Sequence, residues 1–299
     1  MSRPPDLSLP ERARAYRLRT SRGEFAVLDA RPASPPRGTA LLVPGFTGSK
    51  EDFIALLAPL ADAGFRAVAV DGRGQYESAG PSDEAAYAQR ELARDVLAQA
   101  AALSDGEANG GDTAQTTATA HPTHLLGHSL GGLISRAAVL LAPARFGSLT
   151  IVSSGPGAIS EAQRARTTLL IDALGQLDME GVWRAMRELD PPEAADDGTP
   201  PAVREFLRER WLGTVPQQLM ATGRQLIGEP DRVAELAAVP LPKHVLSGAV
   251  DYAWPVPLMD SMAERLGARR TVIAGAEHSP NAERPRETAR ALIDFWRSV

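Results

Sequence analysis

The sequence predicts an α/β protein: a mostly parallel twisted sheet with helices on both faces, interrupted by an inserted all-helical segment. Three observations carry that expectation. Short apolar runs alternate with helical runs over the first half of the chain and again at its end, which is the pattern of a sheet sandwiched between helices. Residues 123–133, Thr-His-Leu-Leu-Gly-His-Ser-Leu-Gly-Gly-Leu, read as a buried strand running straight into a helix through a serine framed by glycines. Between about residues 158 and 240 the alternation stops, and amphipathic helical patterns follow one another with no good strand between them.

Composition narrows the class further. The 299 residues are 43% hydrophobic and 23% charged, and a chain of that length buries roughly three quarters of its unfolded surface. Length alone, at ~150 residues per domain, suggests two domains. The preferred reading is one core formed by residues 1–157 and 241–299, with 158–240 as an insertion. A net charge of −5 with scattered arginines provides no electrostatic footprint for nucleic acid. The absence of cysteine excludes disulfides, thiolate metal sites and a cysteine nucleophile. The start of the chain lacks an apolar signal core, and no run of ~18 apolar residues occurs. A cytoplasmic protein without a membrane span, monomeric or homodimeric, is therefore expected.

Taken in order, residues 1–13 are rich in proline and charge and are expected to be partly disordered. Arg14 to Thr20 and Glu24 to Arg31 read as two antiparallel strands joined by Ser-Arg-Gly. Thr39 to Val43 is a continuous apolar run, as for a strand covered on both faces, ending at Pro44-Gly45-Phe46-Thr47-Gly48. A helix from about Glu51 to Ala63, a strand from Ala67 to Val70, and the turn Asp71-Gly-Arg-Gly-Gln-Tyr-Glu-Ser-Ala-Gly80 follow. A long helix is expected from Asp83 to Leu103, then an exposed loop from Ser104 to Pro122, too polar and glycine-rich to pack. After the serine turn, Leu130 to Leu141 reads as a helix and Leu149 to Ser153 as a strand. The insertion carries helical patterns at Glu161 to Leu174, Met179 to Leu189, Pro201 to Trp211 and Pro216 to Ile227. Strands at His244 to Ser247 and Arg270 to Ile273 and a helix from Arg286 to Trp296 close the chain.

The chemistry is read from the serine outward. Gly127-His128-Ser129-Leu130-Gly131 is G-x-S-x-G, a sharp strand-to-helix turn that lifts a serine hydroxyl above the sheet edge. Strand and helix nearly touch there, so both flanking positions must be very small. A serine hydroxyl needs an imidazole to take its proton, and the imidazole needs a carboxylate to fix its tautomer. Of the five histidines, His244 and His278 follow Ser129. His244 opens a strand and reads as packed. His278 lies in the loop Gly275-Ala-Glu-His-Ser-Pro after a strand, where catalytic groups of open parallel sheets belong. Asp251, in the loop after the preceding strand, is the expected acid, with a helix N-cap before Pro255 as its plainer role. Glu277 is expected at the surface. His128 is expected only to fill a variable position of the turn, and Asp71 and Arg73 to form a loop-organising ion pair.

With these positions the sequence resembles the α/β-hydrolase fold superfamily, in its lidded subgroup of small esterases, lipase-like enzymes and lactonases. Gly45-Phe46 resembles that family's His-Gly-x turn, with Pro44 in place of the histidine. Asp71-Gly-Arg-Gly-Gln-Tyr-Glu-Ser resembles its Asp-x-Arg-Gly-His-Gly-x-Ser loop, with Gln75 in place of a histidine. Gly-x-x-Asp-x-x-x-Pro around Asp251 and Gly-x-x-His-x-Pro around His278 also match. The resemblance implies a serine hydrolase of small-molecule esters or lactones: Ser129 as nucleophile, His278 as base, Asp251 as its orienter, and the amides of Phe46 and Leu130 as the oxyanion hole. It implies no cofactor and no metal. Trp183, Met186, Trp211 and Met220 are candidates to line an acyl pocket, ordinary helix packing being their other reading. Thioesterase, C–C bond hydrolase and cofactor-free perhydrolase chemistry, or a non-catalytic ligand-binding receptor on the same fold, are the alternatives left open.

Overall fold

In the computed structural model, which describes residues 1–108, 122–189 and 198–299, eight strands form one sheet in the order β1-β2-β4-β3-β5-β6-β7-β8. β1 (Ala13–Thr20) and β2 (Gly23–Ala30) make the antiparallel opening, and β2 also runs antiparallel to β4 (Phe65–Val70). From β4 through β3 (Gly38–Val43), β5 (Thr123–His128), β6 (Ser148–Val152), β7 (Lys243–Gly248) and β8 (Arg269–Ile273) every pairing is parallel. The chain steps from β3 to β4 on one side and then to β5 on the other. That reversal opens a crevice at the C-terminal ends of β3 and β5, the place where open parallel sheets bind ligands.

Alternating residues of the central strands face two separate apolar layers. Leu41 and Val43 of β3 pack with α2 (Gln89–Ala108) and α3 (Leu130–Leu141) through residues such as Val96 and Leu133. Ala40 and Leu42 pack on the opposite face with α1 (Ile54–Asp62) and α11 (Pro285–Trp296) through Leu57, Leu292 and Trp296. β3, β4, β5 and β7 are buried along their whole length, which explains the continuous apolar run of β3; the polar side chains of the other three are paired inside the fold, as Arg66 is with Asp29.

Between β6 and β7 the chain is helical: α4 (Glu161–Leu174), α5 (Met179–Leu189), α6 (Pro201–Gly213), α7 (Pro216–Gly228) and the short α8 (Val233–Ala237). α9 (Val256–Leu266) and α10 (Pro280–Glu283) complete the core. Several expectations need correction. The helix expected from Asp83 is two pieces: a turn at Glu84–Tyr87 capped by the Asp83 carboxylate, an extended Ala88, and then α2, which continues to Ala108. The expected loop from Ser104 therefore begins inside that helix, and the rest of it, residues 109–121, lies outside the described residues. The first residues have no regular structure but are not loose, because Pro4 is buried and the Ser2 carbonyl accepts a hydrogen bond from Arg210 of α6. No helix among the described residues is long and apolar enough to cross a membrane.

Of the three strand histidines that are buried neutral, two lie in the body of the sheet. His124 of β5 shares a hydrogen bond with Ser148 and stacks on Trp296, while His244 of β7 shares one with Thr271. Burial pushes His124 down to about 4, and burial with the nearby charge of Arg269 pushes His244 down to about 3. An unfolded histidine binds its proton near pH ~6.5. As pH falls below that value the unfolded chain takes up protons that the folded chain refuses, so stability declines. The unfolding free energy from urea titrations is expected to fall steadily from about pH 6.5 to 4, by up to about 1.4 kcal/mol per pH unit for each such histidine, and the midpoint with it. The decline should be shallower in His124→Gln, and a midpoint flat over that range would contradict the buried-neutral assignment.

Candidate active site

Ser129 sits between β5 and α3 with φ 54° and ψ −120°, a conformation that costs an ordinary side chain roughly 1–3 kcal/mol and persists only where its surroundings impose it. The surroundings are backbone. A Cβ on Gly127 would stand 2.1 Å from the Gly131 carbonyl oxygen, and one on Gly131 would stand 2.3 Å from the Val43 carbonyl oxygen at the end of β3. A Cβ on Gly45 would be 3.2 Å from the Ser129 Cβ, so the turn after β3 also lies against the serine.

The loops after β7 and β8 bring the other two groups to the same place. His278 Nε2 is 3.0 Å from Ser129 Oγ, and His278 Nδ1 is 2.8 Å from Asp251 Oδ2. Asp251 also accepts the Ala253 and Trp254 amides on Oδ1, at 2.8 and 3.0 Å, closing its own turn while the other oxygen faces the imidazole; it is not the helix N-cap of its plainer reading, because α9 begins after Pro255 with no side-chain cap. The two loops are laced together: the Ala249 amide donates to the Ala276 carbonyl, and Gly248 approaches so closely that a Cβ there would meet the Glu277 carbonyl at 2.0 Å. Glu277 itself is exposed, and His244 is buried in its strand, both as expected. Among the described residues the Phe46 and Leu130 amides donate to no protein acceptor, and both residues flank the serine turn. Leu130 is the first residue of α3, where an N–H has no intrahelical partner.

A cavity of ≈ 170 Å³ opens at Ser129. The core contributes Gly45, Phe46 and Tyr252, whose ring lies 4.8 Å from that of His278. The helical segment contributes Ile159, Gln163, Thr167 and Leu226. Trp183, Met186 and Trp211, expected to line it, do not, and neither does Met220. They pack with Leu174, Val182 and Leu219 into a separate apolar cluster among the helices, and the Trp211 indole donates to the Met179 carbonyl. The physical reason is that amphipathic helices first bury their widest apolar stripes against one another, leaving smaller and more polar positions for the cavity. Phe46 joins the two regions, since its ring packs against that cluster as well as the core.

Two more expectations change. Asp71 and Arg73 do not pair with each other. Asp71, fully buried, holds Lys50 through both oxygens, whereas Arg73 turns away to Asp95 of α2. Burial alone would lower the Lys50 ammonium, but the carboxylates of Asp71 and Glu51 hold it above the ordinary lysine range. His128, read from the sequence as a filler, is fully buried, and its Nε2 lies 2.8 Å from the His278 carbonyl oxygen. Burial, reinforced by nearby His278, pushes it down to about 3, so it is neutral and donates its Nε2 proton to that carbonyl. Its place inside G-x-S-x-G says nothing of a partner in a loop far along the chain.

The chain belongs to the α/β hydrolase family, whose model matches residues 40–291. It is 35% identical over 144 residues to the putative carbamate hydrolase RutD of Variovorax paradoxus, a match covering 47% of this chain and 48% of that protein, so it spans about half that relative's length. It is 30% identical over 184 residues to the pimeloyl-[acyl-carrier protein] methyl ester esterase of Photobacterium profundum, covering 57% of this chain and 68% of the relative. Among solved structures, a hydrolase from Pseudomonas aeruginosa PA01 superposes with a TM-score of 0.72 at 25% identity, covering 94% of this chain and 98% of the other.

The geometry at Gly131 makes a direct prediction. Gly131→Ala places a methyl group against the Val43 carbonyl, where only backbone movement can relieve the contact. Urea unfolding is expected to show a loss of about 1–3 kcal/mol, and an unchanged midpoint would mean that strand and helix are not in contact at this turn.

Proposed function

We propose that this protein hydrolyses carboxylic esters or lactones of small molecules through an acyl-enzyme on Ser129. The observation that carries the reading is the continuous hydrogen-bonded line from Ser129 Oγ through His278 to Asp251, set beside two unspent backbone amides. Ser129 Oγ attacks the carbonyl carbon as its proton passes to His278 Nε2. Asp251, bonded to Nδ1–H, fixes the tautomer and stabilises the imidazolium. The Phe46 and Leu130 amides receive the negative oxygen of the tetrahedral intermediate, and such donors favour the transition state because the ground-state carbonyl makes weaker use of them. The imidazolium then protonates the leaving alcohol, and a water activated by the same imidazole releases the acid.

Residues 158–240 act in this reading as a lid, since Ile159, Gln163, Thr167 and Leu226 form one wall of the cavity. A cavity of ≈ 170 Å³ lies below the roughly 300–1,000 Å³ of pockets that hold drug-sized ligands, which favours short acyl groups. The relatives named as esterases and hydrolases support ester cleavage, and the small cavity supplies the size class.

Ser129→Ala is expected to lower kcat about 10⁴–10⁶-fold on a chromogenic short-chain ester, with the far-ultraviolet spectrum unchanged. Asp251→Asn should cost about 10⁴-fold. Near-wild-type turnover by folded Ser129→Ala would end the proposal. Leu226→Ala and Thr167→Ala enlarge the cavity and should move the preferred acyl length upward, whereas Met186→Ala, in the helical cluster and not on the cavity wall, should not. If the chain-length ranking shifted with Met186→Ala and not with the other two, the assigned cavity wall would be wrong.

A further inference from the structure

We infer that Gln75 is a positioning residue that aims the Phe46 amide into the oxyanion hole, an inference that rests on the ester-hydrolase reading above. Gln75 is 5% exposed and lies in the turn after β4. Its Nε2 donates to the Gly45 carbonyl at 2.8 Å, and its Oε1 accepts the Gly72 amide at 2.9 Å. The carboxamide is thus used at both ends and cannot turn over, because the reversed group would oppose oxygen to carbonyl and N–H to N–H. Gly72 is shaped around it: a Cβ there would stand 2.7 Å from Gln75 Oε1.

The consequence follows from peptide planarity. The Gly45 carbonyl and the Phe46 N–H belong to one rigid trans unit and point in opposite directions. Holding the oxygen on one side therefore aims the N–H to the other, toward the cavity that Gly45, Phe46 and Ser129 share. The Gly48 amide also reaches the Gly45 carbonyl, at 3.2 Å, but it belongs to the same turn and moves with it. Gln75 is the anchor outside that turn, held in a segment that is itself fixed by Ser78, whose hydroxyl donates to the Asp71 carbonyl and accepts the Ala26 amide. Without the anchor the Gly45 carbonyl is held only from within its own turn, by the Gly48 amide, and Gly45 has no side chain to resist rotation of the peptide. The resembled loop has a histidine where this chain has Gln75, and glutamine offers an N–H donor that does not titrate.

A hole whose donor is misaimed loses transition-state stabilisation but little substrate binding, so the test separates the two. Gln75→Leu is expected to lower kcat on a short-chain ester by about 10–10³-fold, approaching the loss of one oxyanion donor, while KM stays within about threefold. Its affinity for a trifluoromethyl ketone, which forms an oxyanionic adduct with the serine, should fall by the same factor. Affinity for an uncharged, non-reactive ether analogue of the substrate should not change. Gln75→His, which keeps a donor, should retain kcat within about tenfold, and it carries the test together with Gln75→Glu, which sets an acceptor against the Gly45 carbonyl, if the leucine variant does not fold. Unchanged kcat and ketone affinity in Gln75→Leu or Gln75→Glu would overturn the inference, as would an equal loss for ketone and ether. Wild-type protein that neither cleaves the ester nor binds the ketone would instead remove the hydrolase reading itself.

Discussion

Three stretches of backbone meet at Ser129 with no room for side chains between them, and the rest of the site depends on that contact. The end of β3 touches the start of α3 at Gly131, α3 touches the end of β5 at Gly127, and the turn after β3 touches the serine at Gly45. Ser129 is the residue trapped where they join, and its left-handed backbone is the result. A strain of roughly 1–3 kcal/mol survives because β3 and β5 are central, buried strands whose parallel pairing fixes both ends of the turn. The same contact brings the turn carrying Phe46 and the first residue of α3, Leu130, to the serine, so in the proposed mechanism nucleophile and oxyanion donors are set by one packing constraint.

What could be read from the sequence was what is local. The strand-turn-helix around Ser129, the α4 and α5 boundaries and the strand-end positions of Asp251 and His278 all follow from short-range patterns, and they stand where expected. The contacts that depend on folding were not legible. Nothing near Gln75 announces that its amide reaches Gly45, thirty residues away in sequence, and the G-x-S-x-G pattern treats His128 as arbitrary although it holds the backbone of His278. Asp71 and Arg73 looked like partners because they are close in sequence, yet each had a better-placed counter-charge in Lys50 and Asp95. The tryptophans of the helical segment are candidates from sequence for either pocket walls or helix packing, because large apolar residues suit both. Helix-to-helix packing decided between the two.

The helical segment is tied to the core by buried charge. Arg210 of α6 meets Asp52 just beyond the Gly45–Gly48 turn, and Glu229 at the end of α7 meets Arg136 of α3. Such pairs add little net stability over apolar contacts, but separating one strands a buried charge at a cost of about 3–5 kcal/mol. Rotation of α6 or of the α7 end away from the core is therefore disfavoured. The width of the proposed substrate cavity is set mainly by α4 and the residue it faces on α7, with a fixed floor at the serine turn.

The central claim is that Ser129 becomes acylated during turnover. Rapid acid quench of the protein during steady-state hydrolysis of a p-nitrophenyl ester, followed by peptide mass spectrometry, tests this most directly. The account predicts an acyl group on Ser129, present in wild-type protein, accumulating when the imidazole is protonated at low pH after acylation, and missing from Ser129→Ala. Turnover with no acylated peptide, or with the acyl group carried on another residue, would contradict it.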